Sequence, residues 1–261
     1  MLIARFGPTW AGAIVLPATE ASDDWPNSTL PTVVQAGGAG GAFDFSGDKP
    51  YPLQPITVSK TLVATSSTWA AIEPLVDIYK GLVGYGRDKL WGLCRDGSHR
   101  WAWAKCIEVN ASEKPKQFHT YPVTMKFYLP EGVWYAENPT SHIFYHTAPV
   151  TTLNGNWFAY PVFTIAVTVG TMNAFTLSDV GGRWSLTYTH NITAAHSVVV
   201  NSAALSCVHT GVTNAYQYLT IPVGQFPWAW IIPTTMAIQL SIVYGGSLTY
   251  TCTINYYATY L

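Results

Sequence analysis

Strict alternation of apolar and small polar residues dominates the second half of the chain. Met236, Ile238, Leu240 and Ile242 fall on one side of an extended segment, and Ala237, Gln239, Ser241 and Val243 on the other. The pattern resumes after Gly245-Gly246, where Leu248, Tyr250, Cys252, Ile254 and Tyr256 alternate with Ser247, Thr249, Thr251, Thr253 and Asn255. Two such runs across a Gly-Gly pair predict a hairpin, because glycine accepts the positive φ of a tight two-residue turn. Similar runs occupy residues 161–169 and 175–177, and Trp184, Leu186 and Tyr188 continue the pattern after Gly181-Gly182. No helical period appears between residues 155 and 261. This half reads as an all-β sandwich of roughly eight short strands with a Thr- and Ser-rich outward face.

The first half is mixed. Residues 1–16 read as a first strand and turn, broken by Pro8 and Gly12. Trp69, Ile72, Leu75, Val76 and Tyr79 recur at three- and four-residue spacing and predict a helix over 68–81, with Ser66 and Ser67 available as caps. Pro74 removes a hydrogen bond, so that helix is either kinked there or begins at Glu73. Strands are predicted at 90–94, 101–109 and 123–129, the first two flanking an Asp96-Gly97 turn. Residues 23–55, rich in proline and carrying the run Gly37-Gly38-Ala39-Gly40-Gly41, read as mostly long loop.

Charge divides the chain more sharply than any linker. Charged residues make up only 10% of the 261, with a net charge of -1, against about a quarter in an average soluble domain. Of the charged residues, only Asp179 and Arg183 lie beyond residue 150. Two domains with different surfaces follow: a first over 1–140, a linker over 141–155 rich in breakers, and the sandwich over 156–261. So few charges leave a monomer poorly solvated, which points to a surface covered by copies of the chain or by partners. Near-neutral charge gives no electrostatic case for a nucleic-acid or membrane-surface partner.

The chemistry of an enzyme is hard to find. There is no G-x-S-x-G elbow, no H-E-x-x-H, no phosphate loop and no dinucleotide-binding glycine pattern, so neither a catalytic constellation nor a cofactor is called for. A glycosidase needs two carboxylates, and the sandwich owns only Asp179. Asp44 and Asp48, beside glycines, read as turn formers. Cys94, His99, Cys106 and His119 lie in one region but lack the close pairs of a structural zinc site, and Cys94, Cys106, Cys207 and Cys252 are too sparse for a disulfide scaffold. Residues 80–105 hold six of the 13 Lys and Arg, interleaved with Tyr85, Trp91, Trp101 and Trp103. Cations among aromatic platforms could bind single strands, but Trp101 and Trp103 share one strand face and read more simply as a packed or subunit-contact face. Trp228 and Trp230 are the best local candidates for stacking on a sugar ring, within a chain holding 11 Trp and 16 Tyr.

Several segments, in order, resemble the distal tail proteins of long-tailed phages. Gly41-Ala42-Phe43-Asp44-Phe45-Ser46-Gly47 is similar to that family's glycine-bounded turn ahead of a strand, here over 56–63. The helix near Trp69, Leu90-Trp91 and the Asp96-Gly97 turn leading to Arg100 follow in the same order. Phe127-Tyr128-Leu129-Pro130 with Trp134-Tyr135 is similar to its aromatic strand end, here with three residues between Pro130 and Trp134. Gly155-Asn156 and Pro161 then open the sandwich. The resemblance implies a mainly β protein: an N-terminal split-barrel-like α+β domain with one helix that closes a ring, and a C-terminal galectin-like β-sandwich outside it. It implies a structural, non-enzymatic virion protein without cofactor or metal, a homohexameric ring joining the tail tube protein to a tail tip or baseplate protein. Such a ring is assembled in the bacterial cytoplasm, has no membrane partner and reads no nucleic-acid sequence, with phage DNA able to pass through it. The competing reading is a carbohydrate-binding β-sandwich protein on a virion or cell surface.

Overall fold

The computed structural model describes residues 1–16, 22–24, 34–35, 42–43, 55–65, 68–112, 120–145, 147–150, 155–222, 228–232 and 236–260. The chain is mainly β with one α-helix among these residues, and it divides into two compact units, Met1–Glu137 and Asn138–Tyr260.

The first unit contains β1 (Leu2–Phe6), β2 (Ile14–Val15), β3 (Ser22–Asp24), β4 (Val34–Gln35), β5 (Ala42–Phe43), β6 (Ile56–Thr65), α1 (Trp69–Gly81), β7 (Asp88–Leu93), β8 (His99–Ala111), β9 (Thr120–Leu129) and β10 (Trp134–Ala136). Its antiparallel strands run in the order β2-β1-β7-β8-β9-β6-β3, with β10 also on β8, while β4 and β5 pair separately. The long strand β8 is the axis of this arrangement. It pairs with β7 up to Ala104 and with β9 from Lys105 onward, and a bulge between Cys106 and Glu108 marks the change. One face of β6, β8 and β9 buries Val58, Leu62, Ala104, Cys106, Met125 and Phe127 without measurable exposure. Ile72, Val76 and Tyr79 of α1 are buried with them, and Phe6 of β1 meets Phe127 at a ring distance of 5.3 Å.

The helix begins at Trp69, with Thr68 as its extended N-cap, so it does not start at Glu73. Ser66 and Ser67 lie outside the described residues. Pro74 sits inside the helix on its exposed side, and Ala70, whose carbonyl loses a donor, is an exposed residue. The Asp96-Gly97 turn closes β7 onto β8. Gly97 has φ +82°, Asp96 Oδ1 accepts from the Ser98 amide at 2.9 Å and from the Ser98 hydroxyl at 2.6 Å, and Cys94 donates to the Ser98 carbonyl at 2.9 Å. Those Ser98 hydrogen bonds hold the Asp96 carboxyl below its usual range.

The second unit is a two-sheet structure. Its strands are β11 (Thr140–Phe144), β12 (Thr147–Val150), β13 (Val162–Val169), β14 (Thr171–Asp179), β15 (Ser185–Tyr188), β16 (Ile192–Thr193), β17 (Ser197–Asn201), β18 (Ser206–His209), β19 (Leu219–Thr220), β20 (Met236–Tyr244), β21 (Thr249–Tyr256) and β22 (Thr259–Tyr260). One sheet runs β11-β21-β13-β17-β18 and the other β12-β20-β14-β15-β19, with β16 on β14. Alternation is strict where the inner faces meet: Phe163, Ile165, Leu177, Leu186, Val198, Val200, Ile238 and Ile254 have no measurable exposure. Phe163 of one sheet packs at 5.8 Å against Trp184 beside the other, and Trp184 Nε1 donates to the Trp230 carbonyl at 2.9 Å.

Two expectations are corrected here. The runs around Gly245-Gly246 do not form a hairpin: β20 pairs with β14 and β12, whereas β21 pairs with β13 and β11. The chain uses the positive φ of Gly246, +75°, to cross between sheets. A second crossing, β13 to β14 at Gly170, lies against it. Gly170 has φ +82°, and a Cβ there would collide with the Ser247 carbonyl oxygen. The pair Gly181-Gly182, by contrast, does close a hairpin between β14 and β15. The stretch 141–155 is also more than a linker, since β11 and β12 add a strand to each sheet. Pro149 is tolerated in β12 because that strand is at a sheet edge, where a missing donor breaks no inner ladder.

Candidate functional site

The register of the first unit aligns a row of side chains across five strands. Tyr135 of β10 stands opposite Trp101 of β8, Trp101 opposite Trp91 of β7, Trp91 opposite Arg5 of β1, and Arg5 opposite Val15 of β2. These residues occupy the face of the sheet opposite Leu90, Ala102 and Phe6. The row follows from the Asp96-Gly97 turn, whose position sets Leu93 against His99 and hence Trp91 against Trp101 and Lys89 against Trp103.

The rings form a connected layer. Trp101 stacks on Tyr135 at 4.6 Å, meets Trp103 edge-on at 5.4 Å and reaches Trp91 at 6.5 Å. Trp10, from the turn after β1, meets Trp91 edge-on at 6.1 Å and stacks on His99 at 3.7 Å. Three cations cap the layer: Arg5 lies 4.5 Å from the Trp10 ring, Lys89 4.4 Å from Trp101, and Arg87 5.2 Å from Trp103. Trp91 donates its indole proton to the Gly7 carbonyl at 2.8 Å, and Arg5 donates to the Trp10 carbonyl at 2.5 Å. Glu131 accepts from Arg87 and from the Tyr135 hydroxyl, and Glu137 sits 3.0 Å from His99. Aromatic pairs contribute about 0.5–1.5 kcal/mol each beyond area burial, so this layer is a second, smaller core on the outer side of the sheet.

The layer separates the two strand tryptophans. Trp101 is 5% exposed and occupied by its own chain, whereas Trp103 is half-buried, at the margin. Beyond Trp103 the same strand presents exposed Lys105 and Ile107, and the facing strand presents exposed Tyr128. This margin, not the Trp101 ring, is the accessible part. Trp10 and Lys89 are not singled out by the sequence, and Tyr135 enters there only as part of the Trp134-Tyr135 motif. Counting strand positions outward from the Asp96-Gly97 turn finds Lys89; Trp10 comes from a separate segment and carries no local signal.

The other candidates disperse. Trp228 and Trp230 are 5% and 1% exposed, so neither offers a ring face to a sugar. Phe127 is in the core, Pro130 follows β9 directly, and Trp134 is buried at the start of β10. Gly155 and Asn156 lie against Thr259: the Asn156 amide donates to the Thr259 carbonyl at 3.0 Å, and a Cβ on Gly155 would overlap that oxygen. Pro161 is buried ahead of β13 and its carbonyl accepts from Ser202 at 3.1 Å. Phe43 belongs to β5, while Gly41, Asp44, Gly47, Asp48 and His119 lie outside the described residues. Cys106 and Cys252 are buried, and burial pushes their thiols up to about 11 and about 12. Among the described residues, no group of three His, Cys, Asp or Glu is arranged to hold a metal ion, and no helix is long and apolar enough to cross a membrane.

No family model and no curated protein matches the sequence. Solved structures do match its fold. The crystal structure of the SPP1 Dit protein, described as a paradigm of the hub adsorption apparatus in phages infecting Gram-positive bacteria, superposes with a TM-score of 0.63 at 11% identity. The match covers 92% of this chain and 89% of that one. The phage P2 baseplate in its activated conformation with Sr gives a TM-score of 0.48 at 11% identity, covering 97% of each chain. The chain therefore has the fold of a phage distal tail protein.

Proposed function

We propose that the chain is a structural subunit of a phage tail, forming the distal ring between the tail tube and the tail tip or baseplate. The carrying observation is the fold shared with the SPP1 Dit protein over 92% of this chain. The margin of the tryptophan layer supports the same reading, because Trp103, Ile107 and Tyr128 leave apolar surface beside Lys105 for a neighbouring copy. Each copy would present this flank to the next, with six copies closing the ring, the split-barrel-like unit inside and the galectin-like sandwich outside. Its neighbours along the tail axis are then the tail tube protein and a tail tip protein, and its place is the virion tail after assembly in the bacterial cytoplasm. The role is architectural and asks for no catalytic group. Native mass measurement of the purified full chain over a concentration series tests this. A discrete closed multimer supports the proposal; a monomer at every concentration, together with hits on a glycan array, would replace it with a carbohydrate-binding role.

A further inference from the structure

We propose that His209, flanked by His190 and His196, is a proton-operated latch between the two sheets of the second unit, and that a proton taken up there releases β15 from β18. His209 is on β18 and 2% exposed; its Nδ1 lies 2.7 Å from the Tyr188 hydroxyl on β15, in the opposite sheet. That hydrogen bond ties the sheets together near an edge, since β18 ends one sheet and β15 is followed only by the two-residue strand β19. The other imidazole nitrogen of His209, Nε2, is buried and has no hydrogen-bond partner among the described residues.

The surroundings decide what a proton would do. The His190 ring is 5.6 Å from His209 and the His196 ring 5.9 Å. Among the described residues, the other titratable groups recorded beside the cluster are Tyr188 on β15, Cys207 on β18, and Tyr218 of the 3-10 turn Ala215–Tyr218, which stacks on His190 at 4.2 Å. Burial pushes the Tyr188 hydroxyl up and the Cys207 thiol to about 11, so neither supplies an anion near neutrality. The unit's single carboxylate, Asp179, is already held by Arg183. An imidazolium at His209 would be a buried cation beside two further imidazoles, with no counter-charge.

Burial, and then the charges of His190 and His196, favour the neutral ring and hold its titration below the usual imidazole value. As pH falls, the unfolded or opened form takes up the proton first. The contribution of the latch is therefore complete above the ordinary imidazole pKa and lost on acidification towards the lowered native value. Each pH unit in that window shifts the opening equilibrium by about tenfold for one proton.

The test uses the full chain, following the His209 ring by NMR and amide exchange of β15 and β18 across the acid range. The expected result is a His209 titration below that of a free imidazole, with loss of protection in β15 and β18 over the same interval, corrected for intrinsic exchange. His209→Asn, which keeps a polar atom near Tyr188, should abolish this pH dependence. The double variant His190→Gln with His196→Gln should raise the His209 titration and weaken the dependence, and it serves if the first variant does not fold. Protection that stays constant through the His209 titration, or that falls equally in the wild type and the double variant, overturns the proposal. The outcome is independent of whether the chain forms a ring.

Discussion

Arg183 donates its Nε proton to Asp179 Oδ2 at 2.5 Å, and these are the only Arg, Lys, Asp or Glu of the second unit. The Asp179 side chain is 1% exposed and that of Arg183 is 30% exposed. Burial works against the carboxylate, yet hydrogen bonds from the Arg183 side chain and from the Gly181 and Arg183 amides outweigh it and hold its pKa below the usual range. The pair closes the β14–β15 hairpin, so the unit spends its only two ionic groups on one turn.

Breaking this pair is expected to be asymmetric. Arg183→Met strands a buried carboxylate and should cost about 3 kcal/mol, whereas Asp179→Asn leaves a cation that can turn to water and should cost about 1–2 kcal/mol. Because the carboxyl is held low in the folded state, the contribution of Asp179 is present above the ordinary carboxylate value and fades as pH falls through the native one. Denaturant unfolding of both variants at neutral and acid pH measures both effects.

The two strand tryptophans should separate stability from association. Trp101→Ala removes a 5%-exposed ring packed on Tyr135, Trp91 and Trp103 and should lower the stability of the first unit by about 3–5 kcal/mol. Trp103→Ala, at the margin, should cost about 1 kcal/mol or less in the isolated chain and weaken self-association. Thermal unfolding paired with sedimentation distinguishes them.

The crossings between sheets give a glycine test. Gly170→Ala forces a methyl group against the Ser247 carbonyl at φ +82°, whereas Gly246→Ala meets open space at φ +75°. The second should cost about 1–2 kcal/mol of backbone strain and the first distinctly more, which midpoint shifts in urea would rank.

Cysteine reactivity should follow burial. Cys252, whose thiol is pushed up to about 12, and Cys106, at about 11, should resist alkylation of the native chain, while the half-buried Cys94 reacts first. Mass spectrometry of peptides after timed labelling reads the order.

Local chemistry made part of this fold legible. Asp96-Gly97 carries its own turn geometry, so the β7–β8 hairpin and its register could be read from neighbouring residues alone. Gly245-Gly246 looks the same in sequence, but alternation reports only that a strand has a buried face. In a sandwich both sheets offer one, and which sheet takes β21 is decided by partners far along the chain. β11 and β12 hide for a related reason: as edge strands they tolerate Pro149 and an exposed Ile143, which erases the alternation. The site divides in the same way. Trp101 and Trp103 stand out in sequence, while the layer around Trp101 includes Tyr135, stacked on it, and Trp10, which meets Trp91, and these two arrive from opposite ends of the first unit.

The central claim is that copies of this chain close around an axis. Electron microscopy of the purified full-length chain, classified without imposed symmetry, tests it most directly. Closed rings of identical subunits, lost or weakened on Trp103→Ala, are the expected result; single, separate particles at all concentrations would contradict the account.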